Sequence, residues 1–273
     1  MPRLALLATL ASASHASVAR TVRERVAVSP TAAAAASDDS QLPWAPVGGF
    51  THVASANVSS IRARVKEMPF LAALVDGTLP QDTFAFYLTQ DSLYLRQYAR
   101  VLAALSAKAP TVNITQNMAR AADVALVVEG ALHEVFLSTI SNLSAEERRA
   151  TPPSPTCQAY TDYLQARLAF SPFEVAYAAA IPCFTIYAEV GRHILSRQVP
   201  LEDHPYAQWI QTYGGEAFEQ GTARATWALD ALAERATPAM REEMLEAFRM
   251  SARFEWSFWD SAWRREQWPL PLP

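Results

Sequence analysis

The sequence predicts an all-α fold, a bundle of about eight helices. Three observations carry it. Apolar residues recur at helical spacing through nearly every stretch after residue 50. Glycine is scarce, 8 in 273 residues, which disfavours all-β architectures and glycine-rich phosphate loops. No stretch alternates as a strand would, and no internal repeat is present. With 51% hydrophobic and 18% charged residues, the chain has ample material for one buried core.

The first 48 residues stand apart. They are rich in Ala, Ser and Arg, carry no acidic residue before Glu24, and include the run Ala32–Ala36. Arg3 followed by Leu4–Leu10 has the look of a short secretory signal. Arg3, Arg20, Arg23 and Arg25 among many serines look like a mitochondrial or plastid transit peptide. The apolar run is short and an Arg-rich segment follows it, which favours an organellar or disordered leader. The expected compartment is therefore cytoplasmic or organellar rather than secreted. Pro43, Pro46, Gly48 and Gly49 read as the linker into a single domain spanning 49–273.

The helices follow in order. Val58, Ile61, Val65, Phe70, Leu71 and Leu74 mark 56–76, with a break at Pro69. Gly77, Pro80 and Asp82 stop one helix and start the next. That next helix carries Phe84, Tyr87, Leu88, Tyr94, Leu95, Tyr98, Leu102 and Leu105 on one stripe. Met118, Ala122, Ala125, Leu132, Phe136 and Ile140 mark 113–140. Ser144 with Glu147 is a capping box for a short piece. Residues 151–156 are a proline-rich loop, after which Tyr160, Leu164 and Leu168 resume a helix. Pro172 opens another that runs to about Ser196. A short helix at 205–213 ends at Gly214-Gly215, and 216–235 and 238–264 are the last two.

Composition narrows the function. The net charge of −4 gives no basic footprint, so nucleic acid is not expected as a partner. Cys157 and Cys183 form at most one bridge, so there is no disulfide framework. No apolar run is expected to cross a membrane. No P-loop, dinucleotide fingerprint, Cys-x-x-Cys or Ser-His-Asp order is present.

Chemistry is expected where polar residues interrupt apolar stripes, because a charge on a core-facing position is costly unless something pairs with it. Asp91 lies inside the stripe of 84–105. Glu255 lies among Met244, Phe248, Ala252, Phe258, Trp259 and Ala262. Cys183 lies with Ala176, Ala180, Phe184, Tyr187, Val190 and Ile194, directly after Pro182. That proline removes the helical donor of the residue 178 carbonyl, and a kink beside a thiol would make a notch for a ligand. Facing one core, the three would form a pocket with a nucleophile, proton-transfer groups and flat aromatic walls. Taken singly, each has a plain structural reading as an inert thiol or a paired carboxylate.

Glu129 with His133 and Glu189 with His193 are Glu-His pairs at i, i+4. The spacing in di-iron bundles is i, i+3, and Glu189 and His193 read as a solvated face, so no metal site is expected. Cys157 reads as an ordinary free thiol. Trp256, Trp259, Trp263 and Trp268 read as packing, within the subunit or between subunits.

With these residues in hand, the chain resembles the TenA family, the thiaminase II group. The resemblance covers nearly everything from about residue 50 to 268. It rests on Gly77-Thr78-Leu79-Pro80 leading to Phe84, Tyr87 and Gln90–Leu95, then Ala131-Leu132-His133, then Pro153–Thr156 with Tyr160-Thr161. It continues through Ile181-Pro182-Cys183, Tyr187–Gly191, Trp209-Ile210, Tyr213–Gly215, Glu255 and Phe258-Trp259. The resemblance implies a haem-oxygenase-like helical fold, a homotetramer, and no metal or organic cofactor. It implies hydrolysis of 4-amino-5-aminomethyl-2-methylpyrimidine to the hydroxymethyl pyrimidine and ammonia, with cleavage of thiamin as the related activity. Cys183 would be the nucleophile, Asp91 and Glu255 the proton-handling carboxylates. Tyr94, Tyr160, Tyr187, Tyr213 and Phe258 would bind the ring. The competing readings are a metal-dependent oxidase on the same fold and a non-enzymatic pyrimidine-binding protein.

Overall fold

The computed structural model describes residues 42–141, 143–197 and 200–270. The first 41 residues of the leader read over 1–48 lie outside the described residues.

Among the described residues every regular element is helical. Three short helices come first: α1 (Phe50–Asn57), α2 (Ser59–Lys66) and α3 (Pro69–Val75). Pro69 starts α3, where its missing N–H costs nothing. Gly77, at φ +68°, turns the chain out of α3 in a conformation that favours glycine. The long helix α4 (Gln81–Lys108) follows. The stretch expected as one helix over 113–140 is divided into α5 (Val112–Val124), a π turn (Ala125–Glu129) and α6 (Gly130–Ile140). One wide turn re-phases the two apolar faces, a shift that periodicity alone does not reveal.

Side-chain caps set several boundaries. Ser144 and Glu147 form the expected capping box at the start of α7 (Ala145–Ala150). Ser154 accepts from the Cys157 N–H at the start of α8 (Pro155–Phe170). The central helix α9 (Phe173–Ser196) is followed by α10 (Ala207–Tyr213) and α11 (Glu216–Arg235). Thr237 caps the last helix, α12 (Pro238–Arg264), by accepting from the Met240 N–H.

Helix α9 packs against α12, α11, α10 and α8, while α4 packs against α5, α6, α8 and α12. Alanines at 176, 178, 179, 180 and 188 keep α9 slim, so neighbouring backbones approach it closely. Pro182 sits inside α9 without ending it. The carbonyls just before it are engaged from outside the helix: Ser251 Oγ donates to Ala179 O and Tyr98 Oη donates to Ala180 O, each at 2.6 Å. Neighbouring helices thus hold the backbone just before the proline.

Three expectations need correction. First, α9 is long and apolar enough, by length and composition, to cross a membrane, although no such run was expected. It is a core helix instead, with 78% of its most apolar window buried inside the protein. Second, Glu189 does not lie on a solvated face. Its carboxylate is buried between Arg62 Nε at 2.5 Å and Lys66 Nζ at 3.2 Å, tying α2 to α9. The stripe of α9 is so wide that its apparent polar side also meets a neighbour. Third, the segment read as a linker is packed. Trp44 is 2% exposed and sits with Ala45 against Ala188 of α9, with the Arg192 guanidinium 5.7 Å from the centre of its ring.

Trp44 therefore acts as an anchor for the chain entering α1. Trp44→Ala should lower the unfolding free energy by about 3 kcal/mol, by the usual cost of emptying a buried tryptophan site. Urea denaturation of the variant measures this; an unchanged midpoint would return residues 42–48 to the role of a linker.

Candidate active site

Between Val175 and Gly191 every side chain of α9 is buried except two, Cys183 and Phe184. Both face a cavity of about 80 Å³ enclosed by α4, α5, α9 and α11, with Tyr213 of α10 on its wall. Asp91, Tyr98 and Tyr187 line it as well. The expected notch beside Pro182 is thus present, and the thiol after the proline is on its surface.

Asp91 is 3% exposed, and its Oδ2 lies 3.2 Å from His133 Nε2 of α6. The other ring nitrogen, Nδ1, is 3.0 Å from Ser92 Oγ. Ser92 spends its own proton on Leu88 O at 2.8 Å, so its oxygen accepts from Nδ1–H. Nε2 and Oδ2 face each other as a close buried contact, without the alignment of a hydrogen bond. His133 is 1% exposed and so fixes the direction of the carboxylate.

Glu255 on α12 is 2% exposed and accepts a 2.6 Å hydrogen bond from Tyr160 Oη. Burial pushes its carboxyl up to about 8; the Tyr160 bond opposes this and the charge of Asp91 adds to it. At neutral pH this group carries its proton. The Tyr94 ring stacks on Tyr160 at 4.9 Å and meets Phe258 at 5.6 Å. Burial raises the hydroxyls of Tyr94 and Tyr160, and negative charge at Cys183 and Glu255 raises both further. These phenols remain neutral donors.

The sequence-predicted residues thus fall into two groups. Asp91, Cys183, Tyr187 and Tyr213 lie on the cavity surface. Glu255, Tyr94, Tyr160 and Phe258 do not line it. They form a buried layer beside it, near enough for Cys183 and Asp91 to act on them electrostatically. Tyr187 is held on the wall by Tyr87, their hydroxyls 3.0 Å apart, and by Trp259, whose ring lies 4.7 Å away. Tyr213 reaches the wall because Gly191 lets α10 approach: a Cβ at 191 would overlap the Tyr213 carbonyl and the Gly214 nitrogen.

The two cysteines separate cleanly. Cys157 is 1% exposed, and its Sγ donates to Gln90 O at 3.5 Å. Burial, with Asp91 nearby, pushes this thiol up to about 12, so it is the inert one. A larger open cleft of about 550 Å³ lies beside Gln90, Ser154 and Trp268, and neither cysteine lines it.

Sequence reasoning missed His133 as the partner of Asp91, having weighed it only with Glu129. Its signal was a histidine on the helix after the one bearing the misplaced carboxylate. Tyr98, Phe184, Arg120 and Arg224 were also not singled out as lining residues.

A family model described as the TENA/THI-4/PQQC family matches residues 56–265. The chain belongs to this family. It is 38% identical over 201 residues to the aminopyrimidine aminohydrolase of Bacillus subtilis, covering 73% of this chain and 84% of that protein. It is 34% identical over 230 residues to the thiamine biosynthesis multifunctional protein ThiED of Corynebacterium efficiens. That match covers 83% of this chain but spans only 30% of the longer protein. Among solved structures, the TenA homologue from P. horikoshii OT3 superposes with a TM-score of 0.71 at 26% identity, covering 79% of this chain and 99% of that one. The helical bundle is of the haem-oxygenase-like class that the resemblance implied.

Removing His133 should strand a buried carboxylate. His133→Ala is expected to cost about 1–3 kcal/mol of stability, the penalty for a buried polar group without its partner. Equilibrium unfolding near neutral pH reads this directly; a loss below about 0.5 kcal/mol would show that Asp91 does not depend on His133.

Proposed function

We propose that this protein is a hydrolase of thiamin salvage, converting 4-amino-5-aminomethyl-2-methylpyrimidine to its hydroxymethyl counterpart and ammonia, with thiamin cleavage as a related activity. The observation that carries this reading is the partly accessible Cys183 on the wall of a small cavity that also holds Asp91 and aromatic rings. The names of the B. subtilis and C. efficiens relatives support it.

The chemistry balances on these residues. Cys183 Sγ, as thiolate, bonds to an unsubstituted carbon of the electron-poor pyrimidine. A ring nitrogen takes up a proton as the ring accepts the electron pair, and Glu255, its proton retained by burial, supplies it by way of the Tyr160 and Tyr94 hydroxyls that stand between it and the cavity. The exocyclic C–N bond then breaks, and the amine leaves as ammonia with a proton from the Asp91–His133 pair. Water adds through oxygen to the exocyclic carbon and returns that proton. The C–S bond breaks, Glu255 recovers its proton, and the aromatic ring and the thiolate are restored. Asp91 also accepts from the amino edge of the pyrimidine, and the rings of Tyr187 and Tyr213 flank the heterocycle.

Purified Cys183→Ser should release no ammonia from the aminomethyl pyrimidine while keeping a native circular dichroism spectrum. Asp91→Asn and Glu255→Gln should each lower kcat by about 100-fold or more, the usual worth of a positioned acid or base. Retained turnover in the serine variant would remove Cys183 as nucleophile, and near-normal rates in the others would make those carboxylates structural. The pH dependence follows from Glu255. The working form is protonated, so turnover should fall as pH rises through about 8. A rate that still climbs beyond pH 9 would exclude Glu255 as the proton donor.

A further inference from the structure

The cavity is polarised from end to end, and the reading above uses only its inner end. Asp91 is the one acidic residue on its lining. Two guanidiniums, Arg120 on α5 and Arg224 on α11, line it as well, together with the Asn117 amide. Arg120 is exposed and Arg224 half-buried, whereas Asp91, Tyr98 and Tyr187 are buried, so the arginines mark the solvent end. Among the described residues no carboxylate lies within 4 Å of either guanidinium. Several arginines elsewhere do have such a partner: Arg192 with Glu219, Arg148 with Glu134 and Arg249 with Glu242. Here two cations are instead set toward each other. Burial and the Arg120 charge together push the Arg224 guanidinium below its usual range. An anion between them would relieve that repulsion.

We propose that Arg120 and Arg224 bind a phosphate monoester on the tail of a substrate whose heterocycle lies between Asp91 and Cys183. The site would then favour a phosphorylated thiamin-type substrate over its free alcohol. Two guanidinium forks match the tetrahedral oxygens of a phosphate better than a single carboxylate, which one fork already satisfies. The Asn117 amide adds a neutral donor, and the apolar side chains of Leu95, Met118 and Phe184 line the cavity for the middle of the ligand. A cationic heterocycle within and an anion at the mouth would complement the polarity of the cavity.

This rests on the hydrolase reading for the heterocycle, but its test does not need turnover. Thiamin monophosphate and thiamin are titrated into full-length Cys183→Ala protein by calorimetry, with inorganic phosphate as a competitor. The monophosphate should bind about 10-fold or more tightly than thiamin at low salt, and added NaCl should erode the difference by screening. Phosphate should compete with the monophosphate and not with thiamin. In Arg120→Gln/Arg224→Gln the preference should fall to within about two-fold. If the double variant does not fold, Arg120→Gln alone, at an exposed position, should reduce the preference part of the way. Equal affinities in the parent protein, or a preference that survives both substitutions, would overturn the proposal. Failure of the hydrolase reading would appear separately, as absence of ammonia release by the unmodified protein.

Discussion

Everything in this molecule depends on α9 having almost no solvent face. Its alanines let α4, α8, α11 and α12 surround it, so any polar or irregular feature on it must be satisfied by a neighbour. Pro182 is matched by hydroxyls from Tyr98 and Ser251. Glu189 is matched by Arg62 and Lys66. Gly191 is matched by the backbone of α10, which brings Tyr213 to the cavity. Between Val175 and Gly191 the stretch left uncovered is Cys183-Phe184, and the cavity lies there. The site is therefore the gap in an otherwise complete enclosure of one helix.

That enclosure also separates the roles of two carboxylates. Asp91 and Glu255 both interrupt apolar stripes, and sequence makes them look equivalent. Asp91 faces an imidazole that is itself held by a serine, at the edge of a cavity. Glu255 faces only a phenol within a layer of rings, where desolvation dominates and keeps the carboxyl protonated. One carboxyl group is thus suited to accept and orient, the other to donate. A carboxyl kept protonated by burial near neutral pH is what a proton donor requires.

Much of the fold was legible because helix signals are local. The break at Pro69, the capping box at Ser144 and Glu147, and the stop at Gly77 are each set by a few adjacent residues. The π turn at Ala125–Glu129 was not legible, since an extra residue in one turn leaves both flanking stripes intact in the sequence. The segment holding Trp44 was read as a linker because its prolines and glycines signal a turn, while the burial of Trp44 depends on Ala188, far along the chain. Glu189 was misread for the same reason: its cations come from α2. Of the site, Asp91, Cys183 and Glu255 stood out as anomalies on single helices. What no single helix could show is that His133 faces Asp91, or that Glu255 stands one layer back from the cavity surface.

The position of Glu255 one layer back has a physical consequence of its own. A carboxyl on the cavity surface would be wetted whenever the site is empty, and water would return it toward an ordinary carboxylate pKa. Beside Tyr94 and Tyr160 it is buried off the cavity surface. Its proton is then ready before substrate arrives, and the neutral phenols beside it are hydrogen-bond donors through which that proton's influence can reach the ring. The same two phenols respond to charge at Cys183, so the thiol and the acid both act on one pair of rings. The aromatic layer thus insulates the acid from solvent and links it electrostatically to the Cys183 thiol.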